Sequence, residues 1–221
     1  MDVLEAIRSR HSVRVFTSKP IQRETLLSIL EAALQAPSWT NSQPWEVFVA
    51  GGDPLERLRQ GYAERFAAGA TPQPDIPGVP GWPPAVQQRV AALMAARSSL
   101  LGLDLSNPDD KKAFAAPNYR FFGAPIVVFL CLDRSLSGWP LFDLGSFATT
   151  LMLAAQEFGV ASVPAFSLAV YPDLVRSELS IPDHLALALG VALGYPDDTA
   201  LLNTFRSTRR DLEDVVRFRG V

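Results

Sequence analysis

Three arginines, Arg8, Arg10 and Arg14, fall within seven residues, with His11 and Ser12 between the last two. A guanidinium offers a planar fork of donors and a serine adds a hydroxyl, a set suited to a phosphate. In an extended chain Arg10, Ser12 and Arg14 share one side, because side chains alternate with period two. The same three arginines would serve equally as a solvated surface. A second run, Ala36–Val49 ("APSWTNSQPWEVFV"), crowds Ser38, Thr40, Asn41, Ser42 and Gln43 between Trp39 and Trp45. Asn and Gln each carry donors and acceptors, which fits the edge of a heterocycle as well as an ordinary polar loop. A third run, "NTFRSTRRDLED", places Arg206, Arg209 and Arg210 near the other end of the chain. Taken alone it reads as a charged surface.

These residues need elements to hold them. Asp2 with Glu5 forms a capping box for a short first helix. In "IQRETLLSILEAALQAPS", Leu26, Leu30, Ala33 and Leu34 share a helical face, and Pro37 ends the helix. "WEVFVAGG" reads as a strand. "DPLERLRQ" reads as a helix start with Asp53 at the N-cap and Pro54 at the first helical position. "TPQPDIPGVPGWPP" is too rich in proline for a helix or a central strand. A helix over "AVQQRVAALMAARSSLLGL", a buried strand over "APIVVFLCLD" and an apolar helix over 141–160 follow. "VASVPAFSL" is then a strand, "YPDLVRSELSI" a short helix and "HLALALGVALGYP" a further strand. A sheet wrapped by helices, of the α/β or α+β class, accounts for this order. The 221 residues form a single domain, with an insertion at about 62–118.

Composition removes several functions. The formal charge of −3 argues against a nucleic-acid partner. The longest apolar tract carries Asp143, Gln156 and Glu157, so it reads as a buried helix and not a membrane span. No run resembles a signal peptide. Cys131 is the only cysteine, and His11 and His184 are the only histidines, so an intrachain disulfide is impossible and a Cys/His metal site is not expected. Cys131 lies in "IVVFLCL" and reads as an inert core thiol, consistent with a cytoplasmic setting. The chain has no glycine-rich phosphate loop, no G-x-G-x-x-G, no G-x-S-x-G and no recognisable triad. No catalytic side chain is identified, and an enzyme built this way would leave the hard chemistry to a cofactor.

The runs taken together resemble the FMN-dependent nitroreductase family. "AIRSRHSVRVF" is similar to its N-terminal R-[RH]-S-x-[RK]-x-F signature, and "EAALQAPSWTNSQPWEVFV" to its A-P-S-x-x-N-x-Q-P-W segment. "RFFGAPIVVFL", "LDLGSFATTLMLAAQEFGV", "LALGYPD" and "STRRDLEDVVRF" follow in the family's order. The resemblance implies an α+β fold with a central, mostly antiparallel sheet, and an intertwined homodimer with sites at the subunit interface. It implies that Arg10, His11, Ser12 and Arg14 bind the phosphate and ribityl side of FMN, joined by Arg209 and by Arg206. Pro37, Ser38, Trp39, Asn41 and Gln43 would approach the flavin across the interface. Pro164, Ala165 and Phe166 would present a backbone N–H to flavin N5. Two features depart from the pattern. Ala165 and Phe166 replace the usual polar or glycine residues, and Arg209-Arg210-Asp211 stands where a proline commonly follows the arginine.

The activity so implied is ping-pong transfer of hydride from NAD(P)H to a small-molecule acceptor, nitroaromatic or quinone-like. Another flavoenzyme on the same scaffold (dehalogenase, desaturase or oxidase) and a flavin-binding protein without turnover remain open readings. The proline-rich segment reads either as a strap packing Trp82 onto the core or as a lid, with Trp82, Phe114 and Tyr119 as substrate contacts.

Overall fold

The computed structural model describes residues 2–136 and 138–221. Its centre is one four-stranded sheet in the order β1-β2-β4-β3, where β1 is Glu46–Gly51, β2 Ile126–Asp133, β3 Ala161–Ala165 and β4 Leu185–Gly194. Every neighbouring pair is antiparallel. The long apolar run of β2 has a simple cause, for both faces of this sheet are covered. Val127, Phe129 and Cys131 enter one core, and Val128, Leu130 and Leu132 enter the other. The first core packs α3 (Gly52–Ala67) and α7 (Pro172–Leu179) against the sheet, and the second packs α2 (Arg23–Ala33) and α6 (Pro140–Glu157). Cys131 is fully buried, and burial pushes its thiol up to about 12. It is the inert core residue expected.

Local chemistry explains most boundaries. Asp2 caps α1 (Val3–Ser9), its carboxylate accepting from the Leu4 and Glu5 N–H groups at 2.9 and 3.3 Å. The start of α3 differs from the expected one. The helix begins at Gly52, with Gly51 as N-cap, so Asp53 lies in the first turn and Pro54 one position further in. Gly52 has φ of 55°, and this glycine lets the strand turn directly into the helix, before Asp53 can cap it. In α2 the buried stripe is centred on Ile29 and Ala33. Leu26 and Leu30 are half-buried, while Leu34 falls past the last turn and is exposed. The third strand is shorter than its apolar run, since Phe166–Ala169 coil into a 3-10 turn. The tail folds only over α8 (Leu212–Val215).

Residues 69–83 form neither helix nor strand, and α4 (Pro84–Leu100) and α5 (Pro108–Ala115) follow them. The proline-rich segment is pinned at Asp75. This carboxylate accepts from the Leu187 N–H at 2.8 Å, from Arg134 Nη2 at 2.7 Å and from Arg176 Nη2. Ile76, not Trp82, packs against the core, and Trp82 is half exposed. Beyond the anchor, Gly78 lies against Phe166, where an added Cβ would stand 3.3 Å from the ring. Among the described residues, no helix is long and apolar enough to cross a membrane.

Candidate cofactor-binding site

The two cationic runs at the ends of the chain come together at one edge of the sheet. Residues 12–17 run beside it: the Val13 N–H donates to the Ser162 carbonyl at 3.0 Å, and Thr17 N–H to that of Tyr195 at 2.9 Å. Gly194 allows this close approach, because a Cβ there would lie 2.7 Å from both Phe16 and Pro125. Asn203 then ties the far end of the chain to the same segment. Its amide oxygen accepts from the Arg14 and Val15 N–H groups at 2.9 and 3.2 Å, and its amide nitrogen donates to the Val15 and Asp197 carbonyls at 2.7 and 3.0 Å. Asn203 is buried, and every polar atom of its side chain is used. Its position just ahead of "FRSTRR" was its only sequence signal.

The anion-site residues therefore stand together. Arg10 caps the C-terminal end of α1. Burial and the nearby charge of Arg209 hold its pKa down. Arg14 is pushed down to about 10 by burial and by Arg97. Arg14 Nη1 donates to the Ser12 carbonyl at 3.1 Å, so the segment is braced from within. His11 Nδ1 lies 2.9 Å from the Ser9 carbonyl oxygen, and His11 shares a cavity of about 430 Å³ with Asn203 and Arg206. Arg206 Nη1 donates to the Asn203 and Phe205 carbonyls, and Arg209 Nη1 to Ser207 Oγ at 2.8 Å. A larger cavity of about 620 Å³ lies between α4 and Phe205–Arg210.

Asp198 lines the same cavity as His11 and Arg206, but the arginines of this cluster make no ion pairs. Among the described residues, none of Arg10, Arg14, Arg97, Arg206 and Arg209 has an acidic partner within ion-pair distance, whereas Arg57, Arg59, Arg65, Arg134 and Arg176 each do. Arg97 Nε is buried with no hydrogen-bond partner, and its guanidinium lies 4.8 Å from the Phe114 ring centroid. Crowded cations without counter-ions, of which Arg10, Arg14 and Arg97 are partly buried and one has an unpaired donor, are the chemistry of an anion site. A phosphate-bearing flavin fits it.

Pro164 and Ala165 end β3, opposite Val191 and Gly190, and Phe166 opens the next turn with about half its surface exposed. These residues follow Ser162, the partner of Ser12, and so stand beside the arginine segment. Phe166 therefore faces outward with Gly78 against it and does not enter the core.

The loop Pro37–Gln43 lies elsewhere. Asp143, a buried carboxylate in the first turn of α6, accepts from the Trp39 N–H at 3.3 Å. Ser38 Oγ accepts from the Gln43 N–H at 2.9 Å, and Thr40, Asn41 and Gln43 all have positive φ. Trp39, Trp139 and Phe142 form an exposed aromatic group beside a cleft of about 220 Å³ that Pro37 and Ser38 also line. The arginine segment is held at the other end of α6, where Gln156 Nε2 donates to the Ala6 carbonyl at 2.7 Å and Ser9 Oγ to Gln156 Oε1 at 3.1 Å. From Asp143 to Gln156 the helix rises about 20 Å at 1.5 Å per residue. One chain does not bring the two halves together.

Nor do the three expected substrate contacts share a surface. Trp82 is half exposed, Phe114 is buried under Arg97, and the Tyr119 ring stacks on Phe66 at 4.2 Å. Arg97, Asn203 and Asp143 stand beside the candidate residues without having been singled out from the sequence as binding residues.

Comparison with known proteins identifies the fold and the family. The crystal structure of the FMN and NADPH-dependent nitroreductase NfnB from Sphigopyxis sp. strain HMH matches with a TM-score of 0.95 at 32% identity, covering 100% of both chains. The FMN-dependent nitroreductase NfnB from Mycobacterium smegmatis, solved in complex with NADPH, matches with a TM-score of 0.93 at 33% identity over 98% of this chain and 97% of that one. A 4-nitrobenzoate reductase of Pseudomonas putida is 29% identical over 97% of this chain and 94% of its own. The profile of the nitroreductase family matches residues 7–195, and the chain belongs to that family.

Proposed function

We propose that the protein is an FMN-dependent oxidoreductase that takes hydride from NAD(P)H and delivers it to nitroaromatic acceptors. The observation that carries this reading is the cluster of arginines from both ends of the chain that make no ion pair with a described carboxylate. Its similarity to FMN- and NADPH-dependent nitroreductases and to a 4-nitrobenzoate reductase supports the acceptor class. FMN, when bound, supplies the hydride-accepting ring. Arg10, Ser12 and Arg209 hold its phosphate, with His11 and Arg206 lining the approach and Arg14 further along the segment. Pro164, Ala165 and Phe166 border the ring and supply a backbone donor. Water supplies the proton that the acceptor needs, so no side chain is required as general acid. The segment 62–118 is an insertion in this single domain, and its free portion beyond Asp75 reaches the ring side through Gly78.

The working form is a homodimer with two shared sites. Its support is the separation along α6: Pro37, Ser38, Trp39, Asn41 and Gln43 can meet the arginine segment only if a second copy turns its loop end toward it. The outer face of α6 fits that role, with exposed Leu141, Phe142, Gly145 and Thr149. Cytoplasmic residence accords with the free thiol of Cys131.

Anaerobic addition of NADPH or NADH to the purified yellow protein should bleach the flavin band, and a nitrobenzoate should restore it. A coloured protein that neither coenzyme reduces would sink the reductase reading. A colourless one that takes up no added FMN would sink the cofactor assignment as well.

A further inference from the structure

Residues 166–171 form a turn whose base is fixed. Leu168 is fully buried, and it lies so near Gly190 that a Cβ on that glycine would stand 2.5 Å from its own. The Tyr62 hydroxyl donates to the Leu168 carbonyl at 2.8 Å, and Ala169, Val170 and Tyr171 are buried as well. Phe166, at the start of this turn, is 47% exposed. A single exposed phenyl group means nothing by itself, since soluble proteins carry many. Its surroundings give this one a meaning.

The proline-rich segment runs along the turn in the opposite direction. The Tyr171 hydroxyl donates to the Ala70 carbonyl at 2.9 Å, the Gln73 N–H donates to the Val170 carbonyl at 2.9 Å, and Gly78 meets the Phe166 ring. Asp75 and Ile76 fasten the segment between the last two of these contacts. Gly78 has no positive φ that would call for a glycine, unlike Gly69 at 68° and Gly102 at 67°. Closeness calls for it instead. A Cβ at this position would lie 3.3 Å from Phe166 Cζ and 3.6 Å from Cε1, so the tip of the ring would have to give way. An exposed phenyl ring ordinarily changes rotamer within nanoseconds. This one is bounded at its base by a buried turn and at its tip by anchored backbone.

We propose that Phe166, braced at its tip by Gly78, is the wall that limits the width of the acceptor space, so that the proline-rich segment takes part in substrate choice. The inference rests on the FMN reading above, in which Pro164, Ala165 and Phe166 border the ring. The acceptors so favoured are flat, single-ring nitroarenes, and a fused second ring meets the phenyl wall. Gly78 is a positioning residue and acts only through Phe166.

The test is a double-mutant cycle on the holoenzyme, read with one narrow and one wide acceptor, a nitrobenzoate and a nitronaphthoate. Phe166→Ala should raise kcat/KM for the wide acceptor relative to the narrow one by about tenfold or more, the worth of at least one methylene in an apolar pocket. Gly78→Ala should shift the same ratio by displacing the ring, and should leave it unmoved once residue 166 is already alanine. Benzoate and naphthoate, which carry no nitro group to reduce, should show the same pattern in their dissociation constants, followed by perturbation of the flavin band without turnover. Both positions are exposed and Gly78 has an ordinary φ, so these variants keep the fold. An unchanged ratio in either single variant, or a Gly78→Ala effect that persists without the phenyl ring, would overturn the proposal. A wild-type protein that takes up no FMN would instead remove the cofactor reading, a separate result.

Discussion

Arg10 and Asn203 illustrate two ways a residue can serve one site. Arg10 has no acidic partner, and burial and Arg209 lower its pKa. A cation whose pKa is held down in the folded state is a net cost to the apo fold at neutral pH, recovered only as pH rises above the depressed value. Arg10→Ala should therefore leave apo stability unchanged or slightly raised, while FMN binding weakens by roughly 1.5–3 kcal/mol, the worth of a charge-assisted hydrogen bond. Equilibrium dialysis beside thermal denaturation checks both halves, and unchanged FMN affinity would remove Arg10 from the site. Asn203 behaves oppositely. Its side chain makes four bonds to backbone groups of two distant segments. Asn203→Ala strands buried donors and acceptors and should destabilise the fold by about 2–4 kcal/mol, at roughly 1 kcal/mol or more for each group left unpaired. Urea denaturation measures this. Loss of FMN without loss of stability would contradict a positioning role.

At the scale of elements, the proline-rich segment is a strap where it is anchored and free where it is not. Burial alone would raise the Asp75 carboxyl, but the Leu187 N–H and the Arg134 and Arg176 guanidiniums hold it below the usual range. A depressed carboxyl contributes stability above its unfolded value, near 4, and loses it as pH falls through the lower folded value. Asp75→Ala leaves Arg176 poorly compensated and should cost about 3–5 kcal/mol. It should also flatten the loss of stability below about pH 4, which acid titrations of both proteins followed by circular dichroism would reveal. Trp82 lies beyond this anchor and half exposed, so it adds little to the strap. Excising residues 79–83 should shift the kcat/KM ratio for a large against a small acceptor and leave FMN content intact. A constant ratio would confine this segment to a structural role.

The proposed dimer makes a prediction for the whole molecule. Phe142 is 75% exposed and sits in an aromatic group with Trp139 and Trp39. Because so little of Phe142 is buried in the single chain, Phe142→Asp should barely disturb the protomer. Light scattering should show a monomer, and the monomer should lose FMN, since the loop and arginine halves of the site then remain at opposite ends of α6. A monomeric variant that retains FMN at micromolar concentration would defeat the shared-site arrangement.

What could be read from residue order alone was local or repeated in pattern. The continuous apolar run of 126–133 announced a strand covered on both faces, and prolines barred 71–84 from the sheet. Ala36–Val49 and Arg8–Phe16 carried the family resemblance in their motifs. Each depends on neighbours a few residues apart, so the chain itself holds the information. Tertiary structure alone decided the remainder. Asn203 and Arg14 are far apart in the chain and meet only because the N-terminal segment runs along edge strand β3 and past the end of β4. Asp75 finds Arg176 in the same way. Arg97 looked like any arginine on an exposed helix, for nothing within one turn of it reveals that its Nε is buried without a partner. Charge crowding is a property of distances between segments, and those are fixed by packing around the sheet.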